Sequence, residues 1–515
     1  MKRHPKRLIS AALAAVMLLA CTLTGCGKKQ PNPDGNSGER VQKNTLIVAK
    51  SEDLTSLDPS LAFNLKSHSV YCQMFEGLVR LDSATKEVVP CLATEWEQLD
   101  EVTWRFTLRE GVKFHDGNTM TSADVVCSFE RIMSGMTSTY VEYIESVEAD
   151  GDYAVIMHLK MPYAQIIQAL TYPSAVIVSK AAVEQFGEEF AQHPVGTGPY
   201  AFVSHMVADS VTMKAFDGYW GERAKTENLI FKIIPEGAQR TIMLENGEVD
   251  IICDVPANDA VRVEESQNLK LVHEAGYKYY GLSFKCDSTG PVSNKLVRQA
   301  IERAIDKQIM VDAVMSGFGQ VGSLYCTPTV AGYDASKDKG NLYDLDAAKS
   351  LMAQAGYPNG FDLEVYVRTG QIYDELATIF QDQMKAININ VKLISMDSNT
   401  IDEMVYSGQE VPIRFSFYNN ICGDVDFIMQ KLLPSTYGQV YFNDKMNDLI
   451  TRARAETDPA KRQVVYNEFY DLMAEDVPKI AFFYEEILMG LNNNVEGFQL
   501  NPLGDHQYAS VSVYQ

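Results

Sequence analysis

Hydrophobic and polar positions alternate in short runs separated by turn signals, and the period of each run points to the element it predicts. Thr103 to Glu110, TWRFTLRE, sets Trp104, Phe106 and Leu108 against Arg105, Thr107 and Arg109, the two-residue period of a half-buried strand. Gly111 turns the chain, and a second short extended piece follows, with Asp116-Gly117 as a hairpin-type turn. Thr121-Ser122-Ala123-Asp124 reads as a capping box: Thr121 accepts from the amide of Asp124, and the Asp124 carboxylate returns to the amide of Thr121. A helix is therefore predicted over ADVVCSFERIM. In NKLVRQAIERAIDKQIM the period lengthens, and Val297, Ala300, Ile301, Ala304 and Ile305 share one helical face, with Ser293 or Asn294 as cap. LDAAKSLMAQAGYPNG predicts a helix that starts near Asp344 or Asp346 and is stopped by Gly356, with Pro358 just beyond. Phe361, Leu363, Val365 and Val367 then alternate with Asp362, Glu364, Tyr366 and Arg368 as a strand, followed by a helical YDELATIFQDQMKA and a second strand, INVKLIS. Strand, helix, strand in that order is a βαβ unit with a parallel pair.

The first residues follow a different logic. Lys2, Arg3, Lys6 and Arg7 precede an apolar run from Leu8 to Ala20, then small residues and Cys26, which is the layout of a secretory signal. GKKQPNPDGNSGERVQKN behind it is polar and rich in Gly, Pro and Asn, a flexible tether, and the folded part is expected from about Thr45. No second apolar run is long enough to span a bilayer.

Charge and cysteine usage narrow the class. The formal net charge is -23, and about -27 once Lys2, Arg3, Lys6 and Arg7 leave with the signal. Such an acidic chain is a poor partner for nucleic acid. Of nine cysteines, Cys21 leaves with the signal, and Cys72, Cys91, Cys127, Cys253, Cys286, Cys326 and Cys422 are scattered, without CxxC pairs or metal spacing. They are expected to be mostly buried, small and unpaired. His115, Asp116 and Asp124 crowd together, yet no nucleophile or oxyanion pocket accompanies them, and Asp124 is occupied with a helix end. This cluster is expected to be scaffold. GTGPY, Gly196 to Tyr200, lacks the Lys-Ser/Thr of a phosphate loop and reads as a turn. GxSxG, HExxH and paired catalytic carboxylates are missing too, so an enzyme is not expected.

FTLREGVKFHDGNTMTSADVVCSFERI, from Phe106, strongly resembles the signature segment of the family 5 extracellular solute-binding proteins of ABC importers, the oligopeptide, dipeptide and nickel binding group. Collinear agreement continues in LTSLDPS from Leu54, MFEGLVRLD from Met74, VVPCLATEWE from Val88, HPVGTGPYAF from His193, FDGYWG from Phe216, ENGEVDI from Glu245, VRQAIERAIDKQIMV from Val297 and YDLDAAKSLMAQAGYPNG from Tyr343. Leu23-Thr24-Gly25-Cys26 resembles a lipobox, which implies a signal peptide over 1–25, lipid on Cys26, a tether over 26–44, and a place on the outer face of the cytoplasmic membrane.

The resemblance implies an α/β fold of two lobes, the type II or cluster C binding-protein architecture, with an extra inserted domain. It implies a discontinuous lobe 1 (45–75, 190–280 and 491–515), an insert packed on it (76–189), and lobe 2 (281–490), with hinges near Tyr280 and Gly490. The expected function is capture of a solute, short peptides first, in the interlobe cleft by a monomer that needs no cofactor or metal, and delivery to ABC permease subunits. Arg368 matches the position that holds a ligand carboxylate in dipeptide-type members, and Asp424 the one that receives a ligand ammonium group. The chain departs from the family in having Tyr418 where Trp is usual and Lys285 where Asn is common. Tyr280, Tyr366 and Tyr418 could stack on a ligand, but the three tryptophans lie in shared scaffold motifs. An oligosaccharide or metal-chelate ligand, or a ligand-presenting signalling role, remain the alternatives.

Overall fold

Eleven of the strands, among them the alternating run Phe361–Arg368, pair into one mixed sheet. The computed structural model describes residues 40–62, 65–138, 141–420, 423–432, 441 and 443–515. The signal, Cys26, nearly all of the tether and Cys422 lie outside them. In chain order the main strands are β1 (Thr45–Lys50), β2 (Tyr200–Met206), β3 (Ser210–Ala215), β4 (Asn228–Ile233), β5 (Ile251–Ile252), β6 (Leu269–Phe284), β7 (Phe361–Arg368), β8 (Ile389–Met396), β9 (Ile413–Asn419) and β10 (Lys479–Asn492). Across the sheet they run β2-β3-β4-β1-β5-β10-β6-β9-β7-β8, and Gly319–Val321 pairs with β10 off this path.

The predicted βαβ unit is present: β7 and β8 pair in parallel from Phe361↔Ile389 to Arg368↔Met396, joined by the helix Gln371–Met384. Asn294 rather than Ser293 caps the helix Lys295–Ala304, accepting from the amide of Leu296, because Ser293 belongs to the preceding tight turn. That helix is shorter than its periodicity suggests. Ile305 is extended and fully buried, and the Asp306 side chain caps a new helix, Lys307–Met315, by accepting from Gln308. An Asx cap offers the backbone an alternative to continuing. Asp344 caps the helix Leu345–Gln354.

The core divides into several clusters. One gathers Leu46, Val48, Phe231 and Tyr508 around β1 and β4; another gathers Val297, Ile301, Val365, Phe380 and Phe482 around β7. A third holds Phe106, Leu108, Phe129 and Val155 over a separate four-stranded antiparallel sheet made by Ala93–Asp100, Thr103–Leu108, Ala154–Leu159 and Ile144–Ala149.

The crowded stretch around His115 is scaffold. The Asp124 carboxylate accepts from the Thr121 amide at 2.9 Å and, through its other oxygen, from the Lys180 amide at 3.0 Å. His115 Nδ1 accepts from the Gly196 amide at 3.4 Å, so its Nε2–H donates to the Gly198 carbonyl at 2.9 Å. Burial lowers the His115 imidazole to about 4, and Asp116 accepts from the Ser179 hydroxyl at 2.9 Å. The GTGPY turn packs tightly under this group: a Cβ on Gly196 would lie 2.1 Å from the Met74 carbonyl. Close backbone approach, rather than a phosphate, explains that glycine.

β6 and β10 are the two long strands, of 16 and 14 residues. Their antiparallel ribbon runs from Leu269↔Asn492 to Ser283↔Lys479. β10 pairs with β5 at Ile251↔Leu491, and β6 pairs with β9 from Lys278↔Asn419 to Phe284↔Ile413, so the ribbon joins the two halves of the sheet. Its register shifts between Ala275 and Tyr279 and again between Tyr280 and Gly281. Extra residues on one strand bend it and re-aim its side chains.

Candidate functional site

A cavity of about 300 Å³ opens at the first register shift. Tyr277, Lys278 and Glu485 line it from the ribbon and Phe417 and Asn419 from β9, while Lys50, Cys253 and His506 close it from the side of β1. The strand period explains the grouping. Lys278 is the cross-strand partner of Asn419, and Tyr280 of Phe417, so these four share one face. The Lys278 ammonium lies 2.6 Å from the Tyr280 hydroxyl and 3.1 Å from Glu485 Oε2, and sits 5.2 Å from the Phe417 ring centre. The Tyr280 hydroxyl in turn donates to Glu485 Oε1 at 3.1 Å. Burial and the Glu485 carboxylate raise this phenol. Burial holds His506 down at about 4, and its Nδ1 accepts from the Asn501 amide at 3.0 Å.

Neither Arg368 nor Asp424 lines this cavity. Arg368 ends β7, and Phe417 stands beside it with its ring centre 5.9 Å from the guanidinium carbon. One guanidinium nitrogen, Nη2, donates to Asp402 at 2.7 Å, whereas Nε is buried with no partner among the described residues. Asp424 is 2% exposed and caps the helix Val425–Gln430. Both of its side-chain bonds fall on Oδ1, from the Asp426 amide at 2.9 Å and the Tyr466 hydroxyl at 2.5 Å; no described residue donates to Oδ2. Burial pushes this carboxyl up to about 6, against the opposing pull of those two donors. Gly423, just before it, packs on the Tyr277 hydroxyl, to which a Cβ would come within 3.1 Å.

None of the five expected ligand residues lines this cavity, although the Tyr280 hydroxyl bonds to Lys278 and Glu485, which do. Tyr418 falls between Phe417 and Asn419, so it faces the other side of the sheet, where it stacks on Tyr279 with ring centres 5.4 Å apart. The Lys479 ammonium lies 3.3 Å from its ring centre. Burial acts to raise the Tyr418 phenol, but Lys479 and Arg414 outweigh it and bring it down to about 7. Lys285 lies past the end of β6, held by Asp287 at 2.8 Å with Glu410 at 3.8 Å. Lys278, Phe417, Asn419 and Glu485 escaped the sequence reading. The alternation of YKYY could have placed Lys278 with Tyr280, but the bulge and the partner strand had no local signal. The thiol at the cavity is Cys253; Cys286 and Cys326 pack in the hydrophobic clusters instead. Among the described residues no three His, Cys, Asp or Glu side chains converge to hold a metal.

The third cluster meets the helices beyond β9 close to Asp424. The Ala164 amide donates to the Arg454 carbonyl at 2.8 Å, and Gln165 Nε2 donates to the Tyr466 hydroxyl at 2.9 Å. Arg454 lies 5.4 Å from the Tyr163 ring centre and grips the buried Asp426 through Nε and Nη2, both at 2.9 Å.

Residues 87–439 match the sequence model of the bacterial extracellular solute-binding proteins, family 5 Middle. The glutathione-binding protein GsiB of Shigella dysenteriae is 27% identical over 475 residues, spanning 89% of this chain and 92% of that protein. Among solved structures, the periplasmic binding protein DppA of Helicobacter pylori in complex with the peptide STSA superposes with a TM-score of 0.76 at 25% identity, over 92% of this chain and 99% of that one. HbpA2 of Haemophilus parasuis superposes with a TM-score of 0.85 at 26% identity, over 92% of this chain and 100% of that one.

Proposed function

Because the chain belongs to the family 5 bacterial extracellular solute-binding proteins, and so serves substrate capture for an ABC importer, we propose that its ligand is a short peptide with free termini. The observation that carries this reading is a pair of polar groups without a donor or acceptor partner among the described residues, the buried Nε of Arg368 and Oδ2 of Asp424, next to Phe417 and Gly423, of which Phe417 lines the cavity and Gly423 packs on its Tyr277. A guanidinium edge can grip a carboxylate through two parallel bonds, and a carboxylate oxygen can accept from an ammonium group. A cavity of about 300 Å³ suits a short ligand rather than a long one. The named ligands of GsiB, glutathione, and of DppA, a tetrapeptide, are of the same chemical class.

In this reading the protein binds and releases its ligand unchanged. Lobe 1 comprises 45–75, 190–280 and 491–515, the insert 76–189 and lobe 2 281–490. Closure bends the β6–β10 ribbon at its register shifts, where the ladder is already interrupted. Cys26 carries the lipid that keeps the monomer on the outer face of the cytoplasmic membrane, beside the permease.

Titration calorimetry with dipeptides, tripeptides and tetrapeptides of small side chains tests this. Saturable binding that is lost on capping both termini supports it. Binding of an oligosaccharide but of no peptide would replace it. Loss of peptide uptake on deletion of the gene, restored by the intact chain, separates an importer component from a ligand-presenting sensor.

A further inference from the structure

In a second cavity, of about 350 Å³, none of the lining residues comes from 281–490. Phe75, Tyr172 and Trp220 give it aromatic walls, and Glu76, Asp82, Glu222 and Asp505 give it carboxylates. The four acids differ in kind: Asp82 Oδ1 accepts from the Ala84 and Thr85 amides, and Glu222 is exposed. Glu76 is fully engaged, by the Trp220 indole and the Thr197 hydroxyl on Oε2 and by the Tyr219 hydroxyl on Oε1, each at 2.8 Å. Asp505 Oδ1 is buried with no partner among the described residues. Asp505 sits on a loop whose neighbouring residues, Gly504 and His506, line the first cavity, so this loop is a wall between the two spaces.

A buried carboxylate oxygen without a donor is costly, and a cation brought to it recovers that cost. A metal ion would need several ligands, and no such group converges among the described residues. A single buried carboxylate oxygen without a donor among the described residues, beside aromatic faces, instead matches an organic cation, whose charge is met by the acid and whose carbon chain packs on the rings. Trp220 already holds one guanidinium in this manner: the Arg109 carbon lies 4.2 Å from its ring centre. We propose that this second cavity binds a small guanidinium or alkylammonium compound, with Asp505 accepting its charge and Tyr172 and Trp220 holding its chain. Burial alone raises the Asp505 carboxyl to about 7, and the bound cation would stabilise its ionised form. Arg80 and Arg223, both exposed, also line the cavity; Arg223 is paired with Asp217 and Glu227, and Arg80 opposes entry of a cation.

The test uses agmatine as probe on the mature chain, with butylurea as a neutral control, read by titration calorimetry. Wild type is expected to bind one agmatine and no butylurea. D505N should weaken agmatine by about tenfold or more, R80Q should tighten it by about threefold, and D424N should leave it unchanged. Equal affinity in wild type and D505N, or no agmatine binding to wild type, overturns the proposal. Weakening by D424N instead would move the cation to the peptide cavity and equally overturn it. Should D505N fail to fold, R80Q decides: agmatine affinity that stays the same or falls rejects the site.

Discussion

The Tyr466 hydroxyl joins Gln165 to Asp424: it accepts from Gln165 Nε2 at 2.9 Å and donates to Asp424 Oδ1 at 2.5 Å. A residue of the third cluster is thereby linked, through one phenol, to the carboxylate proposed to receive the ligand. The donor helps hold down a carboxyl that burial raises. Y466F should therefore push Asp424 further up and weaken peptide binding at pH 7 by roughly 3- to 10-fold, the size of one lost hydrogen bond of ordinary net strength. Calorimetry at pH 7 and pH 8.5 checks this, because the deficit should shrink at the higher pH, where the carboxyl ionises regardless.

Asp424 also predicts opposite pH trends for stability and binding. Its folded value, about 6, lies above the usual 3.8, with burial as the main cause. The fold therefore favours the protonated form. Its contribution to stability is fully present below about pH 4 and is lost as pH rises through about 6. Ligand ammonium needs the ionised form, so affinity should fall about tenfold per unit below pH 6. D424N should raise the unfolding free energy at pH 8 by about 2 to 3 kcal/mol while weakening peptide binding. Denaturant titration beside calorimetry measures both, and a D424N variant that is less stable at pH 8 would count against this account.

Arg368 should read the C-terminal carboxylate of the ligand. Truncating one partner of a buried charge pair costs on the order of 2 to 5 kcal/mol, so R368A should weaken a free peptide by roughly 30-fold or more. It should do far less to the same peptide amidated at its C-terminus. A double-mutant cycle with D424N and an N-acetylated peptide forms the matching arm. Equal losses for free and amidated peptides would remove Arg368 from this role.

Gly281 marks the second register shift, and a Cβ there would lie 1.9 Å from the Ile480 carbonyl. Neither strand of the ribbon can move away without breaking its ladder. G281A should destabilise the protein by about 2 kcal/mol or more. Urea unfolding provides the measurement, with Gly247→Ala as the contrast: that glycine meets no atom within 4 Å but has a φ of +71°, so it reports backbone strain without a clash.

Cys26→Ala should release the protein from the membrane, because stable anchoring takes two acyl chains on one residue. Fractionation of cells followed by immunoblotting measures this. Full retention of the variant would mean that the N-terminal apolar run stays in place as the anchor.

Local pattern determined much of this molecule. The alternation in TWRFTLRE and FDLEVYVR, the parallel β7–β8 pair and the caps at Asn294, Asp344 and Asp124 depend on neighbours within a few residues, and such short-range physics is written in the chain. Motif order was enough to place the chain in its family, and the absence of a nucleophile near His115 was enough to read that cluster as scaffold. The tertiary structure alone decided which side chains share the cavity. A shift of register in β6 turns Tyr277 and Lys278 toward it, and the pairing of β6 with β9 brings Phe417 and Asn419 beside them while sending Tyr418 to the opposite face. Burial decided the rest. Whether Asp424 and Asp505 sit in water or among apolar groups depends on segments hundreds of residues away, and their chemistry follows from that surrounding rather than from their own place in the sequence.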